Sequence, residues 1–174
     1  LALVTLWRLG KLDSVIPQNI DDLHQRAGLP ADRVIELHGN ATRARCLTCE
    51  RPYERERVQG WLDAGVAVPL CDPPCGGIIK PRTVMFGEAM PRREMEEAER
   101  RARASDLFLV VGSSLVVYPA AYMPLHAKDA GATLAIVNLT DTPHDGQADL
   151  VIRGSAAAVL AAVTARLAPR SAAR

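Results

Sequence analysis

Cys46-x2-Cys49 and Cys71-x3-Cys75 form two short-spaced pairs with residues 50–70 between them, and these are all the cysteines of the 174-residue chain. Two such pairs are what a tetrahedral Zn²⁺ site needs. Each tight knuckle aims two thiolates at one point, and the intervening segment brings the knuckles together. Pro73-Pro74 inside the second pair and Gly76-Gly77 after it supply turn geometry. Four cysteines can also make two disulfides, but that economy belongs to small secreted domains with poor cores, and apolar residues make up 48% of this chain. Four unrelated free thiols are the bland alternative, against which their clustering speaks. With cysteine at every position no coordination site is left open for water or substrate, so the metal is expected to be structural, one Zn²⁺ per chain.

The elements that must position these residues fall into three zones. From Leu1 to about Arg43, Leu3, Leu6 and Trp7 share a helical face ahead of Gly10. Val15-Ile16 and Val34 to Leu37 have the pattern of short buried strands, and Asp21 to Ala27 that of a short helix ended by Gly28. Residues 44–80 hold the cysteines and many turn residues, which predicts a small module built around something other than a large core. Beyond it the pattern is regular. Arg92 to Ala104 predicts a charged helix with Met95, Ala98 and Ala102 as its buried stripe and i,i+4 ion pairs on its solvated face. Leu107 to Val111 predicts a strand buried on both faces of a parallel sheet. Ala120 to Ala130 predicts a helix, Leu134 to Val137 and Leu150 to Ile152 two more strands, and Ala156 to Leu167 a closing helix, with the last seven residues frayed. This alternation specifies an α/β fold, a doubly wound Rossmann-like parallel sheet formed by residues 1–43 and 81–174, with residues 44–80 as an inserted metal module.

Six blocks in order give the chain a family likeness: Gln18-Asn19-Ile20-Asp21-x-Leu23-His24, Glu36-Leu37-His38-Gly39-Asn40, the two cysteine pairs, Pro81 with Val84-Met85-Phe86-Gly87-Glu88, Gly112 to Ala121, and Ile136-Val137-Asn138. One block alone is a weak pattern, but six in this order and spacing are specific. Together they resemble the sirtuins, NAD-dependent protein lysine deacylases, in the manner of the bacterial deacetylase-like branch. The resemblance implies that His38, just after a strand and just before Gly39, is the general base that draws a proton from the NAD ribose, a task that suits an imidazole titrating in water near pH 6.5. It implies that Gln18, Asn19, Ile20 and Asp21 line the pocket for nicotinamide and its ribose, with Asn19 and Asp21 sharing the catalytic site with His38. Gly112, Ser113 and Ser114 would form the second nucleotide-contacting loop, with Asn138 and Ala156 completing the cofactor site. Val84, Phe86, Gly87 and Glu88 would pair, as an extended segment, with an acylated-lysine peptide clamped against Val116, Val117 and Tyr118.

In the implied reaction the acyl oxygen of the modified lysine attacks C1′ of the nicotinamide ribose and expels nicotinamide, and the products are free lysine and O-acyl-ADP-ribose. Plainer readings stand beside each assignment: a structural histidine, a polar turn in which Asp21 caps a helix, an ordinary Gly-Ser-Ser loop, a core strand at 84–88. His24, His126 and His144 are expected on the surface or on helices. Transfer or hydrolysis of ADP-ribose, and a non-catalytic zinc-bearing fragment, are the competing functions.

Two departures accompany the likeness. Pro17 stands where the family usually has threonine, removing an amide donor beside the ribose pocket and restraining Ile16 to extended geometry. The sequence also contains no glycine-rich phosphate-binding turn, so we expect the chain alone to bind NAD weakly and to be either aggregation-prone or completed by an upstream segment or another polypeptide. The absence of an initiator methionine agrees with that expectation. A formal net charge of +1 gives no electrostatic argument for nucleic acid or an anionic membrane. No apolar run is long enough to span a bilayer, and the apolar opening Leu1 to Leu9 lacks the basic start and cleavage site of a signal peptide. A cytoplasmic location is the resulting expectation.

Overall fold

A computed structural model describes residues 1–167; the expectation of a frayed end at residues 168–174 lies outside the described residues. In chain order the helices are α1 (Ala2–Arg8), α2 (Leu23–Arg26), α3 (Arg55–Asp63), α4 (Arg92–Arg103), α5 (Met123–Asp129) and α6 (Ala156–Leu167). The strands are β1 (Gly39–Cys46), β2 (Pro52–Glu54), β3 (Ile79–Thr83), β4 (Leu107–Val111), β5 (Thr133–Asn138) and β6 (Leu150–Arg153). They make two sheets, ordered β2-β1-β3 and β4-β5-β6.

The second sheet is parallel, with Val110 opposite Ile136 and Ile136 opposite Val151; α5 joins β4 to β5, and a 3₁₀ turn at Asp145–Gln147 lies between β5 and β6. The α/β class expected from the sequence is therefore what forms. Its central strand is β5, where Leu134, Ala135, Ile136 and Val137 are all buried. β4 departs from expectation. Among its residues only Val110 is buried, and Leu107 is 56% exposed. The reason is pairing: among the described residues β4 hydrogen-bonds to β5 on one side only, so its apolar run is not enclosed as a central strand would be.

The N-terminal zone is less regular than its pattern. Val15 and Val34 form a single parallel bridge, closed by Val15 N–H to Arg33 O at 2.8 Å and Ile35 N–H to Val15 O at 2.9 Å. Two residues beyond Val15 the chain reaches Pro17, which has no N–H to extend a ladder. The helix expected over Asp21 to Ala27 shortens to one turn, because Asp22 sits at φ 63°, a left-handed conformation no helix can include. Asp21 does use its carboxylate at that end, accepting Leu23 N–H at 3.1 Å. Between Pro119 and Ala130 a 3₁₀ turn at Ala120–Tyr122 precedes α5, whose Pro124 lacks the N–H that would carry the α-helix back into residue 120.

α4 forms as expected, burying Ala98 and Ala102 completely. Ala98 packs in a core with Ile35, Leu37, Ala120 and Met123, bordered by Ile16, Met95 and Phe108, and this core joins the N-terminal zone to the parallel layer. The antiparallel sheet carries its own small core of Ala44, Cys46, Tyr53, Val58, Cys71 and Ile79. Two of those six are cysteines, too little apolar mass to hold a fold without a further staple. β1 and β3 run past residues 43 and 80, so the sheet reaches from Gly39 to Thr83.

Candidate functional site

His38 follows Leu37, which is fully buried, and precedes Gly39 at φ 73°. A Cβ at residue 39 would lie 1.8 Å from the Arg82 carbonyl oxygen, so only glycine lets β3 pass this close. The His38 carbonyl accepts Val84 N–H at 2.9 Å, which ties the histidine to the segment leaving β3. On the other side its Nδ1 lies 2.8 Å from the Gln18 carbonyl oxygen. A carbonyl can only accept, so Nδ1 carries the hydrogen, and in the neutral ring Nε2 keeps a free lone pair. Gln18 in turn donates from Nε2 to Ser113 Oγ at 3.1 Å, and the same hydroxyl oxygen accepts Leu115 N–H at 3.3 Å. The structure thus brings His38, the loop beginning at Gln18, and Ser113 into one half-buried polar site.

A residue that sequence reading left without a role organises this loop. Asn40 is 2% exposed. Its Nδ2 donates to Asp22 Oδ1 at 2.9 Å and Glu36 Oε1 at 2.6 Å, while its Oδ1 accepts Thr42 N–H at 2.7 Å and Oγ1–H at 2.6 Å. Glu36 Oε1 also accepts Gln25 Nε2–H at 2.6 Å. The Glu36-x3-Asn40 spacing around His38 was the available signal. Ile20 adds a backbone tether, its carbonyl accepting Ala41 N–H at 2.9 Å. Asn19, Ile20 and Asp21 stay exposed on the loop so held.

Gly112, Asn138 and Ala156 meet elsewhere on the same rim. With Leu139, Gly154, Ser155 and Ala157 they line a cleft of about 350 Å³ at the carboxyl ends of β4, β5 and β6, where α6 begins. Open α/β sheets place their ligands at that edge, and a helix N-terminus next to glycine backbone suits anionic or ribose oxygens. Gly112 turns at φ 61° and donates its N–H to Val137 O at 2.9 Å. Ser114 is exposed beside it.

The segment expected to be extended through Val84 to Glu88 is extended only at its start. Val84 is half-buried, after which Glu88 N–H bonds to Met85 O at 3.0 Å and Gly87 takes φ 87°, so residues 85–88 make a turn. The Glu88 carboxylate closes it, accepting Met85 N–H at 3.0 Å and pairing with Lys80. Those contacts, Lys80 foremost, hold its carboxyl below the usual range. Phe86 projects 96% exposed, and Val116 and Tyr118 are also exposed, with Val117 half-buried between them. His144 is neither a surface nor an α-helical residue: it is buried with its ring edge-on to Tyr118 at 6.3 Å between centroids.

The metal centre is compact. All four cysteine Sγ atoms lie within 4.8 Å of one another, with Cys46 to Cys75 at 3.6 Å and Cys49 to Cys71 at 3.5 Å. Zn–S bonds of about 2.3 Å put tetrahedral sulfurs about 3.8 Å apart, so this cluster fits zinc. Cys49 N–H at 3.5 Å and Thr48 N–H at 3.3 Å point at Cys46 Sγ, and they bring that thiol down to about 6, within reach of ionisation at neutral pH. A Cβ at Gly77 would come within 2.7 Å of Cys46 Sγ, which reserves that position for glycine.

A parallel α/β layer with a polar site on its carboxyl rim and an inserted tetrathiolate sheet defines a narrow class of protein. The chain belongs to the Sir2 family, whose model matches residues 1–119. It is 49% identical over 154 residues to NAD-dependent protein deacetylase 1 of Bradyrhizobium diazoefficiens, covering 87% of this chain and 59% of that protein. It is 45% identical over 166 residues to NAD-dependent protein deacetylase 1 of Pyrobaculum aerophilum, covering 95% and 63%. The chain therefore spans about 60% of the length of these curated relatives. Among solved structures it is similar to Sir2 with a p53 peptide and NAD⁺, at a TM-score of 0.87 and 42% identity over 95% of this chain and 68% of that one. It is similar also to Sir2Tm bound to a propionylated peptide, at 0.88 and 42% over 95% and 68%. Among the described residues no helix is long and apolar enough to cross a membrane.

Proposed function

We propose that this chain is the catalytic-histidine and zinc-bearing part of an NAD-dependent protein lysine deacylase. The observation that carries the reading is the orientation of His38: its Nδ1–H is spent on the Gln18 carbonyl, which leaves Nε2 as the acceptor a general base requires. In this reading His38 takes the proton of an NAD ribose hydroxyl, and the fixed tautomer means that no reorganisation precedes the transfer. Gln18, Asn19, Ile20 and Asp21 hold nicotinamide and its ribose. Gly112, Ser113, Ser114, Asn138 and Ala156 hold the rest of NAD⁺ along the rim. An acylated-lysine peptide lies along Val84, Phe86, Gly87 and Glu88 on one side and Val116, Val117 and Tyr118 on the other, whose exposed apolar side chains it would cover. Cys46, Cys49, Cys71 and Cys75 hold a structural Zn²⁺ that shapes residues 44–80 as a module, set into a catalytic domain of residues 1–43 and 81–174. Four thiols kept for a metal suit a reducing compartment, which supports a cytoplasmic location.

Nicotinamide release from NAD⁺, measured with and without an acetylated peptide on the polypeptide encoded by the complete reading frame, separates the possible reactions. Deacylation requires release that depends on the acetylated peptide. Release that proceeds equally without it would replace this reading with ADP-ribose transfer or hydrolysis.

A further inference from the structure

Tyr53, at the middle of β2, is 4% exposed, and a buried phenol needs partners for its hydroxyl. Besides the Arg51 guanidinium, which can only donate to it, the hydroxyl has three contacts and a single proton. Asp72 N–H lies 3.0 Å away and can only donate, so the hydroxyl oxygen accepts there. The proton then goes either to Cys71 Sγ at 3.1 Å or to Asp72 Oδ2 at 3.3 Å. The carboxylate is already supplied, with Arg57 Nη2 at 3.0 and 3.3 Å and Arg51 at 3.6 Å. Cys71 has no such supply. Cys46 Sγ is approached by two backbone N–H groups, whereas among the described residues the hydrogen-bond contacts of Cys71 Sγ are with the Cys49 thiol and this hydroxyl, and no backbone N–H reaches it.

We propose that Tyr53 is a positioning residue of the metal centre, donating its hydroxyl hydrogen to the Cys71 thiolate and so setting how tightly the tetrathiolate holds its metal. The inference rests on the zinc reading of the cysteine cluster. Four thiolates on a divalent ion carry a surplus of negative charge, and at the buried Cys46 and Cys71 that surplus needs donors from the surrounding shell. Tyr53 is itself held rigidly. Its ring meets Trp61 at 5.9 Å, and the Arg57 guanidinium lies 5.3 Å over Tyr53 and 4.8 Å over Trp61. Arg57 and Trp61 are one turn apart on α3, so the helix braces the phenol and Asp72 together. The brace falls where it is needed, since Cys71 belongs to no strand and its segment is secured by a single bridge, Leu70 to Ile78.

The test compares the 174-residue chain with Tyr53→Phe, which keeps the ring and removes only the hydroxyl. Zinc is titrated against a competing chelator, and Co²⁺ replaces zinc for spectroscopy. We expect zinc affinity to fall about 10-fold or more, the usual effect of removing an outer-shell partner, and the thiolate-to-cobalt charge-transfer band to move to lower energy as the Cys71 sulfur becomes the better electron donor. Where Tyr53→Phe fails to fold, the chain is produced with 3-fluorotyrosine in place of tyrosine. The more acidic phenol is a stronger donor, and the band is expected to move to higher energy. Unchanged affinity together with an unchanged band, or an unmoved band in the fluorinated protein, overturns the role. If the unsubstituted chain also fails to bind one zinc, the metal reading itself fails and takes this inference with it.

Discussion

At Gly39 the backbone turns through φ 73° with the Arg82 carbonyl oxygen where a Cβ would stand, 1.8 Å from it. Residue 38 gives its carbonyl to Val84 and its ring nitrogen to Gln18, so a displacement at 39 is transmitted to the imidazole from both sides. Gly39→Ala combines a left-handed conformation, costing about 1–3 kcal/mol for a side-chain-bearing residue, with a backbone clash that must push β3 away from β1. We expect the melting temperature to drop by roughly 5 °C or more, since each kcal/mol is worth about 2–4 °C in a chain of this size. An unchanged melting temperature in Gly39→Ala would show that β3 and β1 are not packed as described. His38 and Gly39 were legible as neighbours in the sequence, but the reason for the glycine was not, because Arg82 is remote in the chain. Asn40 is a similar case: its partners Asp22 and Glu36 converge only once the loop at Gln18 has folded over β1.

Among the elements, α4 combines a smooth inner face with a ladder of ion pairs. Ala98 and Ala102 face the core, while Arg92–Glu96, Arg101–Glu97 and Arg103–Glu99 pair at i,i+4 along the outside. Arg101 also reaches Asp13 at 2.7 Å, fastening the N-terminal zone to the helix. Arg100, and after it Arg101, bring the Glu97 carboxyl down from 4.5 to about 2. A carboxyl whose folded value is depressed contributes stability that is complete above its unfolded value and is lost as pH falls through its folded one. The contribution of Glu97 is therefore present above about pH 4.5 and fades towards pH 2. We expect Glu97→Gln to melt below the parent chain at pH 7, with the gap closing as pH falls through this window; a gap of constant size would contradict the pairing. Periodicity made α4, β5 and α6 legible, and the cysteine spacing did the same for the metal centre, because each depends on residues close in sequence. The turn at Met85–Glu88 is closed by local contacts and Gly87, and only the Lys80 partner of Glu88 is remote; the exposure of β4 escaped notice because an apolar run does not reveal how many neighbours a strand has. The single turn of α2 was hidden in the left-handed Asp22.

At the scale of the whole molecule, three separately encoded pieces meet at one rim: the loop at Gln18 from the N-terminal zone, His38 at the entry to the antiparallel sheet, and Ser113 at the end of β4 in the parallel layer. The links are two hydrogen bonds, His38 Nδ1 to Gln18 O and Gln18 Nε2 to Ser113 Oγ. The core around Leu37 and Ala98 joins these pieces, and β1 runs from Gly39, next to His38, to Cys46 of the four-cysteine cluster. His38 Nε2 is left free as an acceptor, and the cleft at Gly112, Asn138 and Ala156 lies elsewhere on the same rim; the proposed chemistry draws on both. The decisive measurement is the rate of NAD⁺-dependent deacetylation of an acetylated peptide by the polypeptide from the complete reading frame, compared with His38→Ala at equal zinc content and equal melting temperature. A loss of more than about 100-fold, the scale expected for a general base, is predicted; a rate unchanged by His38→Ala would contradict it.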